Sequence, residues 1–285
     1  MLQEQSAGDH LTLPYCVDPP EECRASMVSF NDACNKNNPV LALQLAPEQH
    51  PNALTKGLNY TIMRGHLELA TKLLQIGAKW DSRTVELAVP TLNSVKWLVD
   101  SGFDINTGMM GGSVILSLAV WDNWNDEIVQ YLLEQGADPN RGPIRARWHS
   151  GIGPTIPDSG AILDHVVSTG RIDRAALLIS YGADVSNGVP LHWAAMGCDQ
   201  SKCSGIPMME YLVSLGADVN AFDDALSVRG GLGQKGTPLQ YAIYHARFEE
   251  AKWLLEHGAD PDKQTPWASN LSSLFAYTFE MQSNL

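Results

Sequence analysis

The sequence of 285 residues predicts an all-α fold in which helix pairs stack into a solenoid. Two observations predict it: the same helix ending recurs along the chain, and its copies are spaced near a fixed period. The composition is compatible with this fold, since 44% hydrophobic and 18% charged residues are typical of a folded protein. One helix pair cannot bury its own apolar face, but stacked neighbours can. We therefore expect about six helix-turn-helix repeats with capping helices at both ends.

The recurring helix ending is clearest at residues 132–138, which read Leu-Leu-Glu-Gln-Gly-Ala-Asp. Two large aliphatic residues close an amphipathic helix, the glycine suits a left-handed C′ position, and the aspartate starts a turn. Residues 98–104 are a degenerate copy. The intervals between the glycines are 25, 34, 46, 34 and 42 residues, near a period of about 33 residues with one deletion and two insertions. The glycines are Gly77, Gly102, Gly136, Gly182, Gly216 and Gly258.

Short motifs between these endings resemble the ankyrin-repeat family. Residues 237–242 (TPLQYA) and 190–195 (PLHWAA) are similar to its first-helix signature, and residues 65–70 (GHLELA) to its inter-helix turn. The resemblance covers residues 26–285. It implies an ankyrin-repeat solenoid that holds a protein or peptide partner in a concave groove.

The pattern divides the chain into four segments. Residues 1–25 form an irregular N-terminal segment, 26–49 an N-terminal capping helix pair, 50–262 the ankyrin repeats, and 263–285 a C-terminal cap. The first half of the degenerate repeat is shortened around Pro90. The apolar residues expected in the opening cap are Val40, Leu41, Leu43 and Leu45.

Two insertions separate one repeat's end from the next first helix, at residues 141–160 and 221–236. The resemblance implies that they form fingers projecting over the groove, although drift in a tolerant loop is the alternative. Arg141, Arg145 and Arg147 make a positive spot in an acidic chain, and the candidate binding residues there are Arg145, Arg147 and Trp148. Guanidinium groups pair with carboxylates and phosphates and stack on rings, so we expect an anionic or aromatic partner here.

Aligning the repeats places aromatic residues along the first helices. We expect them to lie on one continuous concave surface and share one ligand, because such side chains bring large contact area. The alternative is that they fill gaps between repeats. Trp97 and Trp253 are expected in the core of second helices. The candidate binding residues of the groove are Tyr60, Trp121, Trp193, Tyr241 and Tyr244.

An enzymatic function stays open at this stage. His165 and His245 fall in the groove alignment, where an imidazole beside a carboxylate such as Asp122 could transfer protons. His192 occupies the signature position whose side chain bonds the neighbouring turn, so we expect it to be structural. Neither a Gly-x-Ser-x-Gly elbow nor a His-Glu-x-x-His motif occurs. The sequence favours a partner-binding protein; the alternatives are a small-molecule binder or unusual enzyme with a small aromatic or anionic ligand, and a module of a larger assembly.

Charge and cysteine content narrow the classes further. The formal net charge of −13 disfavours nucleic acid and anionic membranes as partners. No apolar run could span a bilayer, and residues 1–10 lack a signal-peptide pattern, so we expect a cytoplasmic monomer. The five cysteines are expected to be reduced thiols. Because Cys198 and Cys203 lack further ligands nearby, we expect no metal and no cofactor.

Overall fold

A computed structural model describes residues 17–18, 20–121, 125–143, 154–197, 204–223 and 236–263. Within these residues the secondary structure is helical apart from isolated β-bridge residues, which include the antiparallel pair Gly142 and Ile156. The described helices fall into two compact units, α1–α8 and α9–α14. An all-α fold built from helix pairs is confirmed, and none of the described helices is long and apolar enough to cross a membrane.

The first unit contains four helix pairs and three short 3-10 turns. Its first helices pack in sequence, α1 on α3, α3 on α5 and α5 on α7. The α-helices are α1 (Arg24–Asn35), α2 (Pro39–Leu45), α3 (Pro51–Arg64), α4 (Leu67–Gln75), α5 (Ser82–Ala88), α6 (Leu92–Asp100), α7 (Ile115–Trp121) and α8 (Asp126–Glu134). The 3-10 turns are Glu21–Cys23, Ala46–Glu48 and Met110–Gly112.

The described residues of the second unit form three helix pairs. The first helices α9, α11 and α13 pack on one another in order, and so do the second helices α10, α12 and α14. Their bounds are α9 (Ala161–Ser168), α10 (Ile172–Ser180), α11 (Pro190–Met196), α12 (Ile206–Ser214), α13 (Pro238–Tyr244) and α14 (Phe248–Glu256).

The glycine endings are confirmed. Six second helices, α4, α6, α8, α10, α12 and α14, each stop two residues before a predicted glycine, whose φ lies between 89° and 106°. At Gly136 the next residue, Ala137, donates its N–H to the Leu132 carbonyl at 2.9 Å, and Gly136 donates to Leu133 at 3.0 Å. This is the Schellman arrangement, which satisfies the last carbonyls of the helix. The same two bonds recur at the other five endings.

The start of α13 is stabilised by a capping box within its signature. Thr237 caps α13 by accepting a hydrogen bond from the Gln240 N–H, while the Gln240 side chain accepts one from the Thr237 N–H. Pro238 follows at the first helical position, where its missing N–H costs nothing. The degenerate repeat still forms a pair, since α5 and α6 are joined across Pro90 and α5 packs on both α3 and α7.

The core lies between the helix pairs. Leu69 and Leu73 of α4 expose 2% and 0% of their surface, and burying such a side chain contributes about 1.5–3 kcal/mol. Trp97 and Trp253 are buried, as predicted. Gly57 lets α3 approach α1, because a Cβ there would lie 2.4 Å from the Phe30 ring.

The N-terminal cap differs in detail from its expected face. α1 and α2 form a helix pair in this segment, but Val40 and Leu41 expose 78% and 38% of their surface. The expectation that these two belong to the apolar face is wrong. The small side chain of Ala42 is fully buried instead. Residues 264–285, where the C-terminal cap is expected, lie outside the described residues.

Candidate functional site

A buried polar side chain occupies the fourth position of each first-helix signature in the second unit. His192 donates from Nε2 to the Gly236 carbonyl at 3.0 Å, and Gln240 donates from Nε2 to the Lys263 carbonyl at 3.2 Å. Asp164 accepts from the Val189 N–H at 3.0 Å. Asp164 and His192 thus tie their helices to the residues that lead into the next first helix. Gln240 ties α13 to the residues that follow α14. The structural role expected for His192 is confirmed.

Burial sets the charge of two of these side chains. Burial raises the pKa of Asp164 to about 8 even though the Val189 N–H favours the charged form. The Trp193 indole also favours the carboxylate, although it does not reach hydrogen-bond geometry. For His192, burial lowers the pKa to about 4. Gly188 makes the Asp164 contact possible, because a Cβ there would lie 2.5 Å from Oδ1.

The position after this slot is interior in α11 and α13. Trp193 and Tyr241 expose 8% and 3% of their surface. Tyr241 donates its hydroxyl to Asp223 Oδ2 at 2.7 Å and meets the His192 ring edge-on at 5.4 Å. The expectation that both lie on an open groove is therefore wrong, and they fill space between repeats. Trp121 of the first unit exposes 9% and is corrected in the same way.

The equivalent residue of α3 is at the surface. Tyr60 exposes 38% and Met63, one turn later, exposes 45%. They border a depression of about 350 Å³ between α3 and α5, within the range of about 300–1,000 Å³ typical of ligand sites. The side chains around it are Lys56, Asn59, Tyr60, Met63, Asp81, Arg83 and Leu87.

The floor of this depression is polar and internally bonded. Asp81 accepts hydrogen bonds from the Thr84 N–H at 2.8 Å and from Asn59 Nδ2 at 3.2 Å. The Thr84 hydroxyl lies 2.6 Å from Asn59 Oδ1. Since these groups satisfy one another, they hold the middle of α3 against the first turn of α5.

Two cations stand at the rim of the depression. Lys56 pairs with Asp18, and Arg83 pairs with Glu86 at 3.0 Å. Neither Lys56 nor Arg83 belongs to the binding residues predicted from the sequence. The signal that could have found them is the placement of basic residues on first helices of an otherwise acidic chain.

The remaining exposed candidates lie at the end of α13. Tyr244 exposes 61% of its surface and meets the His245 ring edge-on at 5.2 Å, and partial burial lowers the pKa of His245. His165 is half-buried on α9, two first helices from α13, which corresponds to about 20 Å at ordinary helix spacing. The structure therefore does not bring the two imidazoles together, and Asp122 lies outside the described residues.

Both insertions begin and end at hydrogen-bonded stems in the second unit. Gly142 and Ile156 exchange two backbone hydrogen bonds of 3.1 and 2.8 Å. At the other insertion the Asp223 N–H donates to the Gly236 carbonyl at 2.9 Å. That carbonyl also accepts from His192. The ends of each insertion are thus fixed to the repeat stack.

Several predicted residues fall beyond these stems. Arg145, Arg147 and Trp148 lie outside the described residues, as do Cys198 and Cys203. Among the described cysteines, Cys23 and Cys34 are free thiols, and burial raises the pKa of Cys34 to about 12. A second depression of about 310 Å³ lies beside the stem of the 221–236 insertion, between Val185 and Phe222.

Comparison with known proteins agrees with this architecture. Ankyrin repeat family models match residues 111–142, 189–224 and 234–263. The crystal structure of the ankyrin repeat domain of Bcl-3, a unique member of the IkappaB protein family, is similar with a TM-score of 0.55. The two sequences are 22% identical, and the match covers 80% of this chain and 97% of that chain. At this identity the likeness is one of fold.

Proposed function

We propose that this chain, an ankyrin-repeat protein, binds a protein or peptide partner through the exposed face of its first helices and through its two insertions. The observation that carries the proposal is the exposure of Tyr60 and Met63 on α3. The same helix buries Leu58 and Ile62 completely or nearly so, so its core contacts are already made on another side. Large exposed side chains beside a depression are typical of binding surfaces.

The stems support a role for the insertions. Loops whose ends are fixed by a rigid scaffold are common carriers of binding residues. The stem bonds at Gly142 and Ile156 give the first insertion such an origin. We propose that Arg145, Arg147 and Trp148 contact an anionic or aromatic group of the partner. Replacing Arg145 and Arg147 with Ala should weaken partner binding and leave the melting temperature nearly unchanged.

The proposal leaves out the side chains that the fold covers. Trp121, Trp193 and Tyr241 are buried, so a ligand shared by the whole aromatic set would require them to become uncovered. The exposed members are Tyr60 and Tyr244. A cytoplasmic location and a monomeric state remain predictions from the sequence.

A selection experiment tests this function directly. Peptides are selected from a displayed random library on the purified chain, and the affinities of the selected peptides are measured for variants. Tyr60→Ala combined with Met63→Ala should weaken them about tenfold or more. Ile76→Ala is the matched control, because Ile76 exposes 45% but follows a second helix. Equal losses in both variants, or none in either, would contradict the proposal.

A further inference from the structure

The rim of the depression between α3 and α5 already holds one carboxylate of the chain itself. Lys56 pairs with Asp18, which lies 38 positions earlier in the sequence. This contact lowers the pKa of Asp18, with Arg24 adding to the effect. Asp18 belongs to no helix and its side chain is 74% exposed. A pair so exposed is weak and exchangeable.

Positive charge on the first helices is concentrated in the first unit, and two of these cations, Lys56 and Arg83, line the depression. In the described part of the chain, every Lys and Arg within a first helix lies on α1, α3 or α5, and α7, α9, α11 and α13 carry none. The acids of this region are Asp18, Asp32, Asp81 and Glu86. Asp32 pairs with Lys36 and Glu86 with Arg83, while Asp81 is buried and accepts hydrogen bonds from Thr84 and Asn59. The first-helix cations are Arg24, Lys56, Arg64 and Arg83.

Apolar side chains line the depression together with Lys56 and Arg83. Tyr60 and Met63 expose 38% and 45%, and Leu87 completes the lining. The chain as a whole carries a net charge of −13, so two cations, Lys56 and Arg83, beside exposed apolar side chains and above the bonded carboxylate of Asp81 are a local departure from its average surface. Surfaces of this kind select partners of complementary charge and raise their association rate.

We infer that this depression receives an acidic peptide segment of the partner, with an apolar side chain beside Tyr60 and Met63 and a carboxylate at Lys56, and that Asp18 competes for that carboxylate position. The inference rests on the proposed function and names the chemistry of the partner. Asp18 supplies the group that the partner would supply, since both present a carboxylate to the same ammonium. Binding therefore exchanges one weak ion pair for another and adds the apolar contact.

Fluorescence anisotropy with defined probes tests the inference. The probe is a fluorescein-labelled octapeptide, Glu-Glu-Phe-Glu-Glu-Phe-Glu-Glu, compared with one peptide carrying Lys for Glu and another carrying Ser for Phe. The acidic aromatic peptide should bind best, and sodium chloride at high concentration should weaken it because exposed charges are screened.

Two substitutions should move the affinity in opposite directions. Lys56→Ala should weaken binding of the acidic peptide about two- to fivefold, and Asp18→Asn should tighten it by a similar factor, as expected for one exposed ion pair. Lys72→Ala removes an exposed cation from the second helix α4 and should leave the affinity unchanged. Circular dichroism checks that every variant is folded.

Three outcomes would overturn the inference. One is equal affinity for the acidic and the basic peptide, another is no binding of either, and the third is a change of the same sign in the Lys56 and Asp18 variants. The proposed function fails separately. If peptides from the random library bind and are lost in the Tyr60 and Met63 variant whatever their charge, the binding face stands and only the acidic partner is wrong.

Discussion

Tyr60 and Tyr241 occupy the same position of the repeat, one residue after the polar slot, yet one is a surface residue and the other belongs to the core. Tyr60 exposes 38% of its surface and Tyr241 exposes 3%. The difference lies in what precedes each helix. Asp223 and Gly236, at the stem of an insertion, meet the Tyr241 hydroxyl and ring. A short turn precedes α3, so Tyr60 borders an open depression.

Repeat register fixes the backbone position of a side chain but not the residues that cover it. In the second unit the slot residues and their neighbours form buried polar contacts between repeats. In the first unit the corresponding surface of α3 keeps large side chains exposed. We therefore expect the buried slot residues of the second unit to determine stability. The exposed side chains of α3 should instead determine binding.

The largest effect is expected for Tyr241→Ala. Removing a buried aromatic ring and its hydrogen bond to Asp223 should lower the free energy of unfolding by about 3–5 kcal/mol. Urea unfolding followed by far-UV circular dichroism measures this loss. A change below about 1 kcal/mol would show that Tyr241 is not packed as described, and the comparison would break.

Asp164→Asn should stabilise the protein at neutral pH by about 1–3 kcal/mol. The pKa of Asp164 rises from 3.8 to about 8 on folding, so between these pH values the folded chain holds a proton that the unfolded chain releases. The stabilising contribution of Asp164 to folding is therefore complete below pH 4 and is lost as the pH rises towards 8. An amide cannot ionise, and Asn59 already serves the same slot in α3. The advantage of the variant should shrink as the pH is lowered towards 4. An advantage that grows there would contradict this assignment.

His192→Gln should reduce the loss of stability at acidic pH. The pH dependence that His192 causes is opposite in sign to that of Asp164. The pKa of His192 falls from 6.5 to about 4 on folding, so the unfolded chain takes up a proton that the folded chain does not, and stability is lost as the pH falls from 6.5 towards 4. At pH 5 this amounts to roughly 1–2 kcal/mol relative to pH 7.5. Gln240 is the matched residue in α13. Thermal unfolding at both pH values should show a smaller difference for the variant than for the parent.

The smallest effect on stability is expected for Tyr60→Ala, which should change the free energy of unfolding by less than about 0.5 kcal/mol because the side chain is exposed. Its effect on peptide affinity should be larger. The same urea titration used for Tyr241→Ala provides the measurement. A loss approaching that of Tyr241→Ala would mean that Tyr60 is structural and would remove the contrast.

Short sequence motifs are sufficient to predict where the helices begin and end. A glycine such as Gly136 has a positive φ and no heavy atom within 4 Å of an added Cβ, so its role is a backbone requirement that a sequence displays directly. The capping residues Thr237 and Gln240 act over three positions and were equally readable. These short-range rules account for the fold being predictable.

Contacts between residues far apart in the sequence cannot be predicted from these short motifs. Tyr241 is covered by Asp223, 18 residues away, and Lys56 meets Asp18, 38 residues away. Nothing in the aromatic alignment distinguishes a ring facing a stem from one facing solvent, so Trp193 and Tyr241 were placed on the wrong surface. The depression of the first unit depends on such pairings and had no short motif to mark it.

The stem that Gly142 and Ile156 form has a further consequence for how such a chain can change. Because the two ends of the insertion are bonded to each other, we expect that the segment between them can vary in length and composition. The stacking of the helices on either side should not change. Doubling the length of a flexible loop costs only about 0.6 kcal/mol. Exchanging residues 144–153 and 224–235 for unrelated segments of similar length should thus give new specificities, provided that the contacts of Pro143 and Thr155 with the repeat stack are kept.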